Sequence, residues 1–207
     1  MTTDHTALAT KEELATTVTA LTNNNFLPEV LATKEAALAR VKELIPAGSS
    51  VMNGASKTLE QIGYIEYLKA GDHGWKNLHE EILKETDTEK QAELRKYSVV
   101  SDFYIGSAHV ITEKGEVVVA SNTGSQLPHL AFTSPNLVLV VSTKKLVPTL
   151  TEAFDRIDSH IVPLEEVRMK EVYGFGTTHA KTLILHKENP GMGRKVHVLF
   201  VEEDLGF

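Results

Sequence analysis

The stretch from Ser50 to Gly71 constrains the fold more than any other. Ser50-Val51-Met52 is a short apolar run, and Asn53-Gly54-Ala55-Ser56 is a tight polar turn. Leu59, Ile62, Ile65 and Leu68 then recur at three-residue spacing until Gly71 stops the pattern. Strand, turn and amphipathic helix in that order is the unit from which parallel sheets are wound, because parallel neighbours need a crossover connection. The turn falls at the carboxyl end of the strand, where open α/β sheets bind their ligands.

The same grammar continues on both sides. Thr10 and Glu13 form a capping box that opens a helix through about Leu21, ended by Asn23-Asn24-Asn25. Phe26–Leu31 reads as a short strand, and Pro28 restricts it to a sheet edge. Thr33 caps a second helix with Leu38, Val41 and Ile45 on one face, halted at Pro46-Ala47-Gly48. From Trp75 to Tyr97 the pattern weakens, and residues 84–96 mix charges of both signs as a solvated helix or loop does. Val99–Thr112 and Glu116–Ala120, joined through Lys114-Gly115, read as strand, hairpin turn, strand. Leu137–Ser142 reads as a central buried strand, and Pro148 opens a helix with Leu150, Phe154 and Ile157 as its stripe. Lys181–His186 and Lys195–Val201 flank Asn189-Pro190-Gly191 and read as a closing hairpin. The expected fold is α/β: a mostly parallel sheet flanked by helices, with antiparallel hairpin additions. An N-terminal helix occupies residues 1–22 and a single α/β domain residues 23–207.

Composition removes whole classes of chemistry. None of the 207 residues is cysteine, which excludes disulfides, zinc–thiolate sites, iron–sulfur clusters ligated by cysteines of this chain, and thiol nucleophiles. Twenty-one Lys and Arg against 28 Asp and Glu leave a net charge of −7, which argues against general binding to nucleic-acid phosphates. The longest apolar run, Leu137–Val141, is far below the roughly 20 residues needed to cross a bilayer. Residues 1–25 lack the apolar core of a secretory peptide, and Asp4, Glu12 and Glu13 argue against a mitochondrial presequence. The expectation is a cytoplasmic protein with neither nucleic acid nor membrane as partner.

Gly54-Ala55-Ser56-Lys57-Thr58 is the strongest local signal for a site. A tight glycine turn entering a helix aims unpaired N–H groups outward, two hydroxyls add donors and Lys57 adds charge, a setting for phosphate or carboxylate. Ser56 acting only as a helix N-cap is the plainer account of the same residues. The stretch half-matches the Gly-x-Ser-x-Gly nucleophile elbow, but Thr58 stands where the second glycine belongs. A Walker A loop is absent, and Gly174-Phe175-Gly176 lacks the third glycine of a dinucleotide fingerprint. Nine histidines include no His-Glu-x-x-His, so spacing supports no metal site. Glu113-Lys114-Gly115-Glu116 and Asn122-Thr123-Gly124-Ser125-Gln126 are, locally, ordinary polar turns.

Taken in order, these segments resemble the LUD-domain family, which includes the lactate utilization protein C group. Gly54-Ala-Ser-Lys-Thr-Leu-Glu-Gln-Ile-Gly63 is similar to its GGSxTLxExG segment, and Ser101-Asp-Phe-Tyr-Ile-Gly-Ser-Ala-His109 to its ADxxxTGxxA strand. Ile111-Thr-Glu-Lys-Gly-Glu-Val-Val118 resembles its ITEDGEIV hairpin, Asn122-Thr-Gly-Ser125 its TGNR loop, and Lys145 the lysine of its NKIV step. Val201-Glu-Glu-Asp-Leu-Gly-Phe207 is similar to VxExLGF.

The resemblance implies the fold of ribose-5-phosphate isomerase, glucosamine-6-phosphate deaminase and the CoA transferases, which bind sugar phosphates or acyl-CoA above a parallel sheet. Some CoA transferases carry a catalytic Glu in a Ser-Glu-Asn-Gly turn, which Thr112-Glu113-Lys114-Gly115 resembles, and this marks Glu113 as nucleophile or general base. The implied ligand is a small anionic metabolite, phosphorylated or acyl, held by Gly54, Ser56 and Thr58. Gly106, Asn122, Gly124, Ser125 and Lys145 would line and orient it. Ser56 and Glu113 are expected to face one cleft. The chain departs from the family at Ser125-Gln126, where relatives have Asn-Arg, and at Lys144, where they have Asn. Many relatives also carry a cysteine cluster that this chain lacks. Two other readings follow: a non-catalytic accessory subunit of an iron–sulfur L-lactate oxidation complex, and a hydrolase dependent on Ser56. A homo-oligomer is compatible with the fold; no cofactor is identified.

Overall fold

The protein is described by a computed structural model covering residues 5–207, without the Tyr173 side chain; Met1–Asp4, at the head of the expected N-terminal segment, lie outside the described residues. In chain order the strands are β1 (Leu27–Leu31), β2 (Ser50–Asn53), β3 (Lys76–Asn77), β4 (Phe103–Gly106), β5 (Val110–Thr112), β6 (Val117–Ser121), β7 (Asn136–Ser142), β8 (Leu146–Val147), β9 (Lys181–Leu185) and β10 (Lys195–Val201). The α-helices are α1 (Lys11–Asn23), α2 (Lys34–Leu44), α3 (Lys57–Gln61), α4 (Tyr64–Ala70), α5 (Leu78–Lys84), α6 (Thr88–Tyr97), α7 (Leu150–Arg156) and α8 (Val162–Tyr173). One sheet runs β1-β10-β7-β4-β2-β3 with every pair parallel. The second runs β8-β5-β6-β9, in which β5 pairs parallel with β8 while β5–β6 and β6–β9 are antiparallel. The fold is therefore α/β with a mostly parallel central sheet flanked by helices and a mixed second sheet.

Alternation along the strands decides the layers, because successive side chains point to opposite faces. Val138, Val140, Phe103, Ile105, Leu199 and Val201 face the helical layer, packing with Val41 of α2, Leu59 of α3 and Leu68 of α4. Their neighbours Leu137, Leu139, Val141, Tyr104, Val198 and Phe200 face the other way, onto Ile111, Val117 and Val119 of the second sheet and Leu14 and Leu21 of α1. Val110, Val118 and Ala120 on the second sheet's far face bury against Ala153, Ile157 and Ile161. Thr10 caps α1 with its capping box complete, and Thr33 caps α2.

Four readings from sequence need correcting. Lys181–Leu185 and Lys195–Val201 do not form a closing hairpin. β10 inserts between β1 and β7, since its run Val198-Leu199-Phe200-Val201 is buried on both faces and needs a central slot. The half-buried β9 takes the edge beside β6. Val99–Thr112 is two strands, because the chain leaves the first sheet after Gly106 and enters the second at Val110. The helix from Leu59 to Leu68 breaks at Gly63, whose φ of 81° is left-handed. In α7 the inward stripe is Ala153, Arg156 and Ile157, while Phe154 is 37% exposed and stacks against His179. As Pro28 requires, β1 lies at a sheet edge.

Candidate functional site

A cavity of about 330 Å³ opens above the carboxyl ends of the parallel strands. The turn after β2 brings Gly54, Ser56, Lys57 and Thr58, and the turn after β4 brings Gly106, Ser107, Ala108 and His109. Ala120–Thr123, Ser125 and Gln126 come from the end of β6, Lys145 from the 3-10 turn after β7, and Gly206 and Phe207 from beyond β10. These segments meet because parallel strands put their carboxyl ends on one side, and β6 happens to run the same way across the second sheet. The remaining wall is Ile161, Val162, Glu165, Arg168, Met169, Phe175 and Thr177–His179. It begins in a π-helical turn, Ile157–Ile161, a local irregularity often found at functional sites.

Lys145 forms the floor. The residue is 4% exposed, and its Nζ donates to Thr58 Oγ1 (3.1 Å), Ser107 Oγ (3.2 Å) and the Ala108 carbonyl (3.4 Å). All three acceptors are neutral, and among the described residues no carboxylate lies within ion-pair distance. Burial, with Arg156 and Lys144 close by, pulls its pKa down to about 7. Three other cations differ in being paired: Lys57 with Glu60 (3.2 Å), Arg168 with Glu165 (2.7 Å), and Lys144 with Asp204. Arg156, with no exposed surface, has all three guanidinium nitrogens without a hydrogen-bond partner among the described residues.

His109 presents a fixed tautomer. Its Nδ1 accepts from the Ala120 N–H at 3.3 Å, so Nε2 carries the proton. Burial and the Lys145 charge lower its pKa to about 3. Across the cavity, His179 Nδ1 meets Asp158 Oδ1 at 2.6 Å and Nε2 meets Thr182 Oγ1 at 2.5 Å. Gln126 is held by its amide donating to the Ala120 carbonyl (3.1 Å) and by accepting from the Tyr104 hydroxyl (3.4 Å). A Cβ on Gly54 would come within 2.8 Å of that hydroxyl, so the turn closes only over a glycine. Gly206 is tighter still. Its φ is 70°, and a Cβ there would run into Thr58 Oγ1 and within 2.7 Å of Lys145 Nζ.

Of the residues singled out from sequence, Gly54, Ser56, Thr58, Gly106, Asn122, Ser125 and Lys145 line this cavity. Gly124 supports it from behind, against the Lys181 stem. Glu113 is not in the lining. It sits at the far end of β5, roughly 13 Å along the strand from His109 at about 3.3 Å per residue. Its turn is packed on the end of α1, where Asn24 Nδ2 donates to the Lys114 carbonyl at 2.9 Å. The common cleft expected for Ser56 and Glu113 is thus absent, because antiparallel pairing with β6 sends that turn away from the cavity. Ser56 Oγ accepts from the Leu59 N–H at 3.3 Å as a helix N-cap, and no histidine is within hydrogen-bond reach of it among the described residues. Ser107, His109, Tyr104, Gln126 and Gly206 were not read as site residues from sequence, apart from the motifs that contain some of them. Arg156 carried no signal at all. Among the described residues no three His, Asp or Glu side chains group to hold a metal ion, and no helix is long and apolar enough to cross a membrane.

The crystal structure of a DUF162 family protein from Deinococcus radiodurans is similar in fold, with a TM-score of 0.55 at 14% identity, over 94% of this chain and 99% of that one. No curated protein matches the chain. The family model for the LUD domain matches residues 14–201, nearly the whole length over which the two sheets and the cavity are built, and the chain belongs to the LUD-domain family.

Proposed function

We propose that the cavity binds a small anionic metabolite, phosphorylated or acyl, with Lys145 as its electrostatic anchor. The observation that carries this reading is the buried Lys145 Nζ, which has only neutral oxygens for partners while Lys57, Lys144 and Arg168 are each matched to a carboxylate. A buried charge without a counter-ion costs several kcal/mol, and an incoming anion removes that cost. The Thr58 and Ser107 hydroxyls already touch the ammonium and can turn their protons toward the guest. Asn122, Ser125 and Lys57 stand at the rim. The volume lies at the low end of the range for ligand sites, which suits a short carboxylate or a sugar phosphate. The sequence resemblance to the lactate utilization protein C group is compatible with a short organic acid. Glu113 has no part in binding at this cavity.

The test is a thermal-shift panel of inorganic phosphate, short carboxylates and sugar phosphates against the protein and its Lys145→Met variant. A ligand at 100 times its dissociation constant stabilises the fold by about 2.7 kcal/mol. Stabilisation confined to the parent protein supports the reading. Equal shifts in both proteins, or none with any anion, overturn it.

A further inference from the structure

The geometry points to Lys145 as a covalent nucleophile, whose Nζ condenses with the carbonyl carbon of a small anionic aldehyde or ketone to form an imine inside the cavity. This rests on the anion-binding reading and names the chemical class of its guest: the protonated amine draws the anion into the cavity, and the same nitrogen attacks the carbonyl only after it has given up that proton. An amine serves as a nucleophile only where it is reachable, desolvated and not locked as an ammonium by a carboxylate. Lys145 meets these conditions. It lines the cavity, and its contacts are two hydroxyls and one carbonyl.

Its charged neighbours come from several elements. Arg156 at the end of α7 is sealed from solvent with no hydrogen-bond partner among the described residues, so none of them quenches its charge by direct contact. Lys144 adds a second charge, held by Asp204 and by the Gly206 carbonyl at 2.9 Å. The nearby acids are Asp204, 65% exposed at its side chain and paired with Lys144, and Glu165 of the cavity wall, paired with Arg168. His109 is kept neutral by the Ala120 N–H. The result is the depressed basicity already noted, which leaves a substantial fraction of free amine near neutral pH.

The segment after β10 places the amine. Gly206 N–H donates to Gln61 Oε1 at 2.6 Å, and Ser142 Oγ donates to the Glu203 carbonyl at 2.5 Å. This pins the glycine across the Thr58 hydroxyl and the end of the Lys145 side chain, which lines the cavity. The step balances without redox. The free amine forms a C–N bond as the carbonyl π pair moves to oxygen, and a proton passes from nitrogen to that oxygen. The carbinolamine then loses hydroxide as the nitrogen lone pair closes the C=N bond. With the remaining N–H proton, that hydroxide leaves as water.

Glyoxylate and glycolaldehyde phosphate, each with cyanoborohydride at pH 7.5, are the probes. Peptide mass mapping should find reductive alkylation at Lys145 at least tenfold above any of the exposed lysines, with neutral glycolaldehyde labelling Lys145 more slowly. Lys145→Arg should lose that adduct while keeping its charge, and the thermal shift with inorganic phosphate should survive in it. Labelling spread evenly over surface lysines, or equal labelling by neutral glycolaldehyde, overturns the inference. A retained phosphate shift in the parent without any Lys145 adduct overturns the imine alone. An adduct at Lys145 without any anion-induced shift overturns the anion-anchor reading and leaves the nucleophile standing.

Discussion

Replacing Lys145 by methionine should change how stability depends on pH. The folded protein holds the Lys145 amine near pKa 7, against 10.5 for an ordinary lysine, because burial and the charges of Arg156 and Lys144 disfavour the ammonium. At about 1.36 kcal/mol per pH unit, this shift places a penalty of order 5 kcal/mol on the folded state wherever the lysine is protonated. The unfolded chain keeps its proton to about pH 10, while the folded chain sheds it above 7. Between those values the unfolded state binds more protons, and stability rises with pH. Over pH 7 to 9 the gain is about 2 kcal/mol. Methionine is unbranched, one atom shorter and uncharged, so the variant lacks this term while other titrating groups act on both proteins alike. Urea unfolding of both proteins at pH 7, 8 and 9 measures the difference directly. The gap between variant and parent should narrow by about 2 kcal/mol, and parallel curves would refute the burial argument.

Three further outcomes follow from the same geometry. Gly206→Ala should lose about 1–3 kcal/mol in urea unfolding, since a left-handed φ and contact with Thr58 and Lys145 both oppose a Cβ; an unchanged midpoint contradicts it. Histidine nitrogen chemical shifts should show His109 neutral with its proton on Nε2 down to pH 5, and a titration near 6.5 would refute the fixed tautomer. Glu113→Gln should leave the phosphate-induced thermal shift of the parent unaltered, whereas a lost shift would show that the turn between β5 and β6 reaches the cavity after all.

Much of the local architecture was legible in the residues. Capping at Thr10, Thr33 and Ser56, the edge position of Pro28, and the buried run at Leu137–Ser142 all follow from hydrogen-bonding capacity and side-chain pattern within a few residues. The Gly54–Thr58 turn was visible as a site for the same reason, because its glycine and hydroxyls announce themselves locally. Glu113 was marked only by the resemblance of its turn to a catalytic Glu turn, and it lies away from the cavity, since its neighbours in sequence say nothing about which end of a strand faces the crevice.

By itself, the order of residues determined that strands and helices alternate, that Leu137–Ser142 is a central buried strand, and which polar turns were candidates to serve a ligand. Tertiary structure alone decided that β10 leaves its sequence neighbour to lie between β1 and β7, and that the turn between β5 and β6 points away from the cavity. It also decided that Lys145 meets Thr58 across 87 positions of chain beneath Gly206. The physical reason is range. Helix caps and periodic faces are settled by bonds between near neighbours, while strand partnership and the basicity of a buried amine depend on groups that only the assembled sheets bring together.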